Sequence, residues 1–137
     1  MKILLINPKF PPSYWGQEYS GPITGYHYVF PPLGLATVAA LAAPHEVEII
    51  DENIEKLDYD YAKQFDIVGL TGYMIQSDRE FEICDELRSR GVFVVIGGPN
   101  AYLIKDECMK HCDCLISGEA ELTWPQFLRD YESGNWL

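Results

Sequence analysis

The chain opens with the stretch KILLINP, residues 2–8, from which the prediction of the fold starts. Four consecutive apolar residues, Ile3 to Ile6, are followed at once by Asn7 and Pro8. A short, continuous apolar run that ends at turn-forming residues is typical of a strand buried on both faces of a sheet. We therefore expect such a strand at the start of the chain.

Strand-like and helix-like segments alternate through the rest of the chain. Ser77 and Glu80 are spaced as a capping box, in which a serine and a glutamate side chain accept the free amides of a helix start. Because the strands are separated by helices, we predict parallel crossover connections and an open, five-stranded α/β sheet covered on both faces. The predicted strands are residues 2–6, 46–51, 67–71, 93–96 and 115–117, and the predicted helices are 33–42, a short one within 52–65, 77–90, 104–110 and 123–131.

Length and charge limit the classes of function. The 137 residues include 47% hydrophobic residues, enough to fill the core of one domain over residues 1–137. Acidic residues outnumber basic ones by 21 to 10, which gives a formal net charge of −11. A nucleic-acid binder needs a basic surface to replace phosphate counterions, and an anionic membrane attracts basic segments. We expect neither nucleic acid nor a membrane surface as a partner.

Neither a membrane span nor a secretory leader is predicted. The longest apolar stretch, residues 33–43, is far shorter than the roughly 20 residues of a transmembrane helix. The apolar run after Lys2 is too short for a signal peptide, so we expect a cytoplasmic protein. Its four cysteines, Cys84, Cys108, Cys112 and Cys114, are then expected to be reduced, buried thiols and not metal ligands.

Polar and glycine-rich turns follow the predicted strands at their carboxyl ends. Open parallel sheets bind ligands in the crevice beyond these ends, so the sequence predicts a binding site there. The turns are Asn7–Pro8, Thr71–Gly72–Tyr73, Gly97–Gly98–Pro99 and Ser117–Gly118–Glu119.

The same turns exclude several ligands. The first turn, residues 7–12, contains no glycine, whereas a dinucleotide site needs a Gly-x-Gly-x-x-Gly turn there. A Gly-Lys-Ser/Thr phosphate loop is absent, and so is the acidic pair of a phospho-receiver. The long, aromatic-rich connection of residues 9–31 is the kind of loop that usually serves function, and we expect it to contact a cofactor or a substrate.

At these residues the chain resembles the N-terminal cobalamin-binding domain of the cobalamin-dependent radical SAM enzymes. This family includes the anaerobic magnesium-protoporphyrin ester cyclases and many methyltransferases. The stretches that carry the resemblance keep the family order and cover nearly the whole chain. They are residues 2–8, 31–35 (PPLGL), 45–51 (HEVEIID), 66–71 (DIVGLT), 94–99 (VVIGGP) and 117–121 (SGEAE).

The resemblance implies a flavodoxin-like fold with the corrin ring on the carboxyl ends of the strands. The nucleotide tail would enter a slot beside the fourth and fifth strands, where a glycine pair leaves room for it. The implied cofactor-binding residues are Asn7, Pro8, Thr71, Gly72, Tyr73, Gly97, Gly98, Pro99, Ser117, Gly118 and Glu119.

Two departures from the family pattern bear on the chemistry. Some cobalamin domains carry an Asp-x-His-x-x-Gly motif after the first strand, and its histidine ligates the cobalt; this motif is missing here. His27, in the long connection, could approach the metal instead, although a solvent-exposed or hydrogen-bonded loop histidine is favoured. The Cys-x3-Cys-x2-Cys motif of a four-iron cluster is also missing.

We therefore interpret the chain as a non-catalytic, cofactor-binding part of a methyltransferase or cyclase. S-adenosylmethionine, the iron–sulfur cluster and a small-molecule substrate would belong with a radical SAM domain beyond residue 137. The alternatives are a cobalamin-free docking or substrate-gating module and a small-molecule-binding module.

Overall fold

Strands and helices alternate through the part of the chain that the computed structural model describes, residues 1–12, 25 and 31–136. The strands are β1 (Lys2–Asn7), β2 (Glu46–Asp51), β3 (Ile67–Thr71), β4 (Phe93–Gly97) and β5 (Cys114–Leu115). The helices are α1 (Leu33–Leu41), α2 (Tyr59–Ala62), α3 (Ser77–Ser89), α4 (Gly98–Leu103), α5 (Lys105–His111) and α6 (Ala120–Ser133), and a 3-10 turn at Met74–Gln76 precedes α3.

The five strands form one sheet in the order β2-β1-β3-β4-β5, and every neighbouring pair is parallel. The chain crosses from β1 to β2 on one side and returns to β3 on the other, so the order reverses between β1 and β3. A reversal of this kind opens a crevice at the carboxyl ends of the strands. The predicted α/β fold with an open parallel sheet is confirmed.

Strand β1 explains why the apolar run at residues 3–6 is continuous. Leu4 and Ile6 belong to a core cluster that also contains Ile83 and Leu87 of α3. Ile3 and Leu5 belong to a second cluster with Leu35 of α1 and Trp124 of α6. Successive side chains of a strand point to opposite faces, so a strand with a core on each face needs apolar residues at every position.

Several predicted boundaries differ from the observed ones. Helix α4 begins at Gly98, where we expected only a turn, and a break at Ile104 separates it from α5. Strand β5 has two residues, Cys114–Leu115, and α6 begins at Ala120, three residues before the predicted start.

The predicted capping box at Ser77 and Glu80 is wrong. Helix α3 begins at Ser77 itself, its N-cap is Gln76, and no side chain caps it. The Glu80 side chain is buried and accepts a hydrogen bond from Asn100 Nδ2 at 2.6 Å. Packing against α4 has therefore replaced the local interaction that the spacing favours.

Within the described ranges, no helix combines the length and apolar character needed to cross a membrane.

Candidate functional site

A cavity of about 800 Å³ lies at the carboxyl ends of the strands. Its walls come from the ends of β1, β3 and β4, from the connection between β5 and α6, and from α1. Most of the lining surface is apolar, and Leu5, Val38, Val95, Ile116 and Trp124 contribute to it. The position is the crevice that a doubly wound sheet offers to a ligand, and the volume lies within the usual range of small-molecule sites.

Most of the residues predicted for the site line this cavity, and three do not. Pro8 is buried beside it, with its carbonyl oxygen bound to Gln76, while Ser117 and Glu119 are exposed at the start of α6. The predicted residues that line the cavity are Asn7, Thr71, Gly72, Tyr73, Gly97, Gly98, Pro99 and Gly118.

The two glycines that follow β4 have different structural roles. Gly98 has a φ of +76°, and a Cβ atom placed on it would lie 2.1 Å from Thr71 Oγ1. Gly97 has an extended backbone, and its Cβ would meet nothing closer than the Ile116 carbonyl oxygen at 3.7 Å. Gly98 is therefore required by the packing of β3 against the start of α4, whereas Gly97 leaves the cavity wall free of a side chain.

Gln76 organises one side of the cavity, and the sequence analysis did not identify it. Its side chain is 1% exposed. Its Nε2 donates to the Pro8 carbonyl at 2.6 Å and to Asn7 Oδ1 at 3.3 Å, and its Oε1 accepts from the Tyr73 amide at 2.9 Å. One side chain thus joins the turn after β1 to the turn after β3. Nothing in the local sequence distinguishes this glutamine from an exposed one.

Asp51 fixes the turn after β1 from the opposite side. Its Oδ1 accepts from Asn7 Nδ2 at 3.1 Å and from Asn53 Nδ2 at 2.7 Å. Asn53 Oδ1 in turn accepts the Phe10 amide at 2.9 Å. The carboxylate of Asp51 is buried and acts within the protein, so it holds the first turn in place beside the cavity.

The cysteines lie away from the cavity lining. Cys84, Cys108 and Cys112 are buried, and Cys114 is half-buried. Burial raises the pKa of the Cys108 and Cys112 thiols to about 11 and raises that of Cys84 further. Among the described residues, no three His, Cys, Asp or Glu side chains converge on a position where they could hold a metal ion.

His27 and most of the aromatic connection, residues 13–24 and 26–30, lie outside the described residues.

The order of the strands and the position of the cavity define a doubly wound α/β domain that binds a ligand at the ends of its strands. The family model described as the B12 binding domain matches residues 21–128. The chain therefore belongs to the B12-binding domain family, and the resemblance to cobalamin-binding domains drawn from the sequence motifs is confirmed.

Curated relatives are methyltransferases that are much longer than this chain. An uncharacterized methyltransferase of Synechocystis sp. is 34% identical over 139 residues, which cover 98% of this chain and 25% of that protein. The bacteriochlorophyllide d C-8(2)-methyltransferase of Chlorobaculum tepidum is 37% identical over 100 residues, covering 72% of this chain and 22% of that protein. The chain thus spans about a quarter of the length of these relatives.

A solved structure shares the fold. A Burkholderia pseudomallei protein described as pilus assembly-related superposes with a TM-score of 0.56, over 99% of this chain and 89% of that chain. The two sequences are 13% identical, so the likeness concerns the fold alone.

Proposed function

We propose that this chain is the cofactor-binding part of a cobalamin-dependent methyltransferase and that cobalamin lies in the cavity at the strand ends. The observation that carries the proposal is the coincidence of that cavity with eight residues that the family motifs predict for the site. Methyltransferase relatives, aligned over most of this chain, support the reaction class. Bound cobalamin would supply a cobalt centre that can carry a methyl group.

The residues of the cavity fit such a cofactor. Gly97, Gly98 and Gly118 bring backbone without side chains to one edge, which allows a bulky ligand to approach closely. Thr71 and the neighbouring backbone offer partners for the amide groups of the corrin rim. The apolar wall formed by α1 and α6 suits a broad, partly apolar group and keeps water from it.

The proposed contacts divide the predicted residues into two groups. Asn7, Thr71, Gly72 and Tyr73, with residues 97–99 and Gly118, would touch the cofactor directly. Ser117 and Glu119 would reach it only at the exposed rim, and Pro8 would act through its hydrogen bond to Gln76. In this arrangement the chain binds and orients the cofactor, and the reacting substrate approaches from the open side.

The rest of the activity would reside in other parts of the protein. We propose that residues 1–137 form one domain and that a radical SAM domain with S-adenosylmethionine and a four-iron cluster completes the enzyme. The Chlorobaculum tepidum relative is a bacteriochlorophyllide d methyltransferase, which supports a small-molecule substrate.

A binding measurement tests the proposal. Cyanocobalamin should co-elute with this chain on gel filtration, and its visible spectrum should change on binding. Replacing Gly97 by Leu places a side chain on the cavity wall and should weaken binding at least about tenfold, equivalent to about 1.4 kcal/mol. Ala40→Leu, on the exposed side of α1, is the matched control and should bind like the unaltered chain.

Two results would count against this function: cyanocobalamin that elutes separately at high protein concentration, or equal binding by the folded Gly97→Leu variant and its control.

A further inference from the structure

A buried polar pair lies directly behind one wall of the cavity. Glu80 of α3 and Asn100 of α4 are both completely buried. Gly72 lines the cavity, and a Cβ atom on it would lie 2.8 Å from Glu80 Oε2 and 3.1 Å from Asn100 Nδ2. Glu80 and Asn100 therefore pack directly against the Gly72 backbone and leave no room for a side chain at position 72.

Asn100 joins this wall to both helices. Its backbone amide donates to the Gly72 carbonyl at 3.1 Å, and its Nδ2 lies 3.1 Å from the Tyr73 carbonyl. The same Nδ2 lies 2.6 Å from Glu80 Oε2 and 3.3 Å from Ser77 Oγ. Because an amide nitrogen has two hydrogens, the bonds to Glu80 and to the Tyr73 carbonyl use both of them.

Two atoms of the pair have no partner among the described residues: Glu80 Oε1 and Asn100 Oδ1. An unpaired oxygen of a neutral carboxyl group is tolerated in the interior far better than one that shares a negative charge. The surroundings of the pair therefore favour the neutral form of Glu80. An ionised Glu80 would draw water or a hydrogen-bond donor toward the buried site.

We infer that Glu80 and Asn100 are positioning residues for the cofactor cavity and that the neutral form of Glu80 holds the Gly72–Tyr73 wall in place. The inference rests on the proposed function only in naming cobalamin as the ligand that the wall contacts. Ionisation of Glu80 would loosen the wall, because the carboxyl group packs directly against Gly72 and the adjoining Tyr73 is exposed to solvent.

The charges around Glu80 support this. Burial raises its pKa to about 7, and the hydrogen bond from Asn100 opposes that shift only in part. The titratable groups that face it are the thiols of Cys84 on α3 and Cys108 on α5, both of which burial keeps protonated. The neighbouring Arg79 is engaged by Glu52 and Glu82, so within the described ranges no cation offsets a charge on Glu80.

The sign of the pH effect follows from the direction of this shift. The pKa of Glu80 is raised in the folded state, so its neutral form is the one that the fold favours. The stabilisation that Glu80 provides is complete below the ordinary glutamate pKa and is lost as the pH rises through about 7.

The test compares the unaltered chain with Glu80→Gln, a neutral side chain of the same shape, between pH 5.5 and 8.5. Amide resonances of Gly72 and Tyr73 should shift with a midpoint near pH 7 in the unaltered chain and stay constant in the variant. The affinity for cyanocobalamin should fall about three- to tenfold over the same range and be independent of pH in Glu80→Gln. Asp78→Asn, at an exposed position of the same helix, is the control and should behave like the unaltered chain.

The resonance measurement needs no cofactor, so it separates this inference from the proposed function. If the Gly72 and Tyr73 resonances do not titrate, or titrate equally in Glu80→Gln, the inference is wrong even when cobalamin binds. If they titrate only with Glu80 present and cyanocobalamin does not bind, the pair positions the wall and the proposed function fails. If Glu80→Gln does not fold, the carbon resonance of the Glu80 carboxyl group can be followed against pH in the unaltered chain instead. A titration midpoint near pH 7 would support the inference, and one below pH 5 would overturn it.

Discussion

Gly98 and Thr71 lie close together where the end of β3 meets the start of α4 at the cavity. The Thr71 hydroxyl oxygen occupies the position that a Cβ on residue 98 would need. The positive φ of Gly98 adds a second requirement for glycine at the start of α4. A single residue thus sets how closely β3 and α4 approach each other at the site.

Replacing Gly98 by Ala should therefore destabilise the fold. We expect a loss of about 2–4 kcal/mol, because the left-handed backbone costs about 1–2 and the overlap with Thr71 about as much again. Gly97→Ala is the adjacent control and should change the free energy of unfolding by less than about 1 kcal/mol. Urea denaturation of the two variants measures the difference, and equal midpoints would contradict the assignment.

Among the secondary-structure elements, the 3-10 turn between β3 and α3 connects the turn after β1 to the turn after β3. Gln76 at the end of this turn binds the Pro8 carbonyl and the Tyr73 amide, so the turns after β1 and β3 are connected through one side chain. The cavity wall therefore depends on an element of only three residues.

Gln76→Leu keeps the approximate volume and removes all three hydrogen bonds of the side chain, those to Asn7, Pro8 and Tyr73. We expect a loss of about 1–3 kcal/mol, since the Tyr73 amide loses its acceptor and, among the described residues, the Pro8 carbonyl retains only the longer bond from Asn53. Met74→Leu, on the exposed part of the same turn, should cost less than about 0.5 kcal/mol. Thermal unfolding of both variants provides the comparison, and an unchanged midpoint for Gln76→Leu would show that the turn is held in another way.

Across the molecule, the buried thiols report on the integrity of the core between the sheet and helices α3 and α5. Cys84 and Cys108 lie in the cluster between the sheet and helices α3 and α5, whereas Cys114 is half-buried in β5. Burial also raises the pKa of Cys84 and Cys108, which lowers the fraction of reactive thiolate.

Alkylation of the native protein should accordingly proceed in two phases. Cys114 should react first, and Cys84 and Cys108 should react only as fast as the molecule unfolds. Iodoacetamide labelling followed by peptide mapping distinguishes the sites, with a urea-unfolded sample as the reference in which all four thiols react. Native labelling of Cys84 at the rate of Cys114 would show that the core opens locally.

The local chemistry of the sequence predicted the strands and the edge of the sheet that carries the site. A continuous apolar run such as residues 3–6, bounded by turn residues, is typical of a strand with a core on both faces, and glycine-rich turns mark where such strands end. Helix starts were less predictable. The Ser77–Glu80 spacing fits a capping box, but burial of Glu80 against α4 outweighs that local preference.

Local sequence patterns were therefore enough to predict the fold class, the positions of the turns that line the cavity, and the resemblance that the family match confirms. The strand order and the side chains that support the site from behind depend on tertiary packing. Gln76 binds a carbonyl 68 positions away, and Asn100 binds a carboxylate 20 positions away. Contacts between such distant residues depend on how the helices pack on the sheet, and no local pattern of residues encodes them.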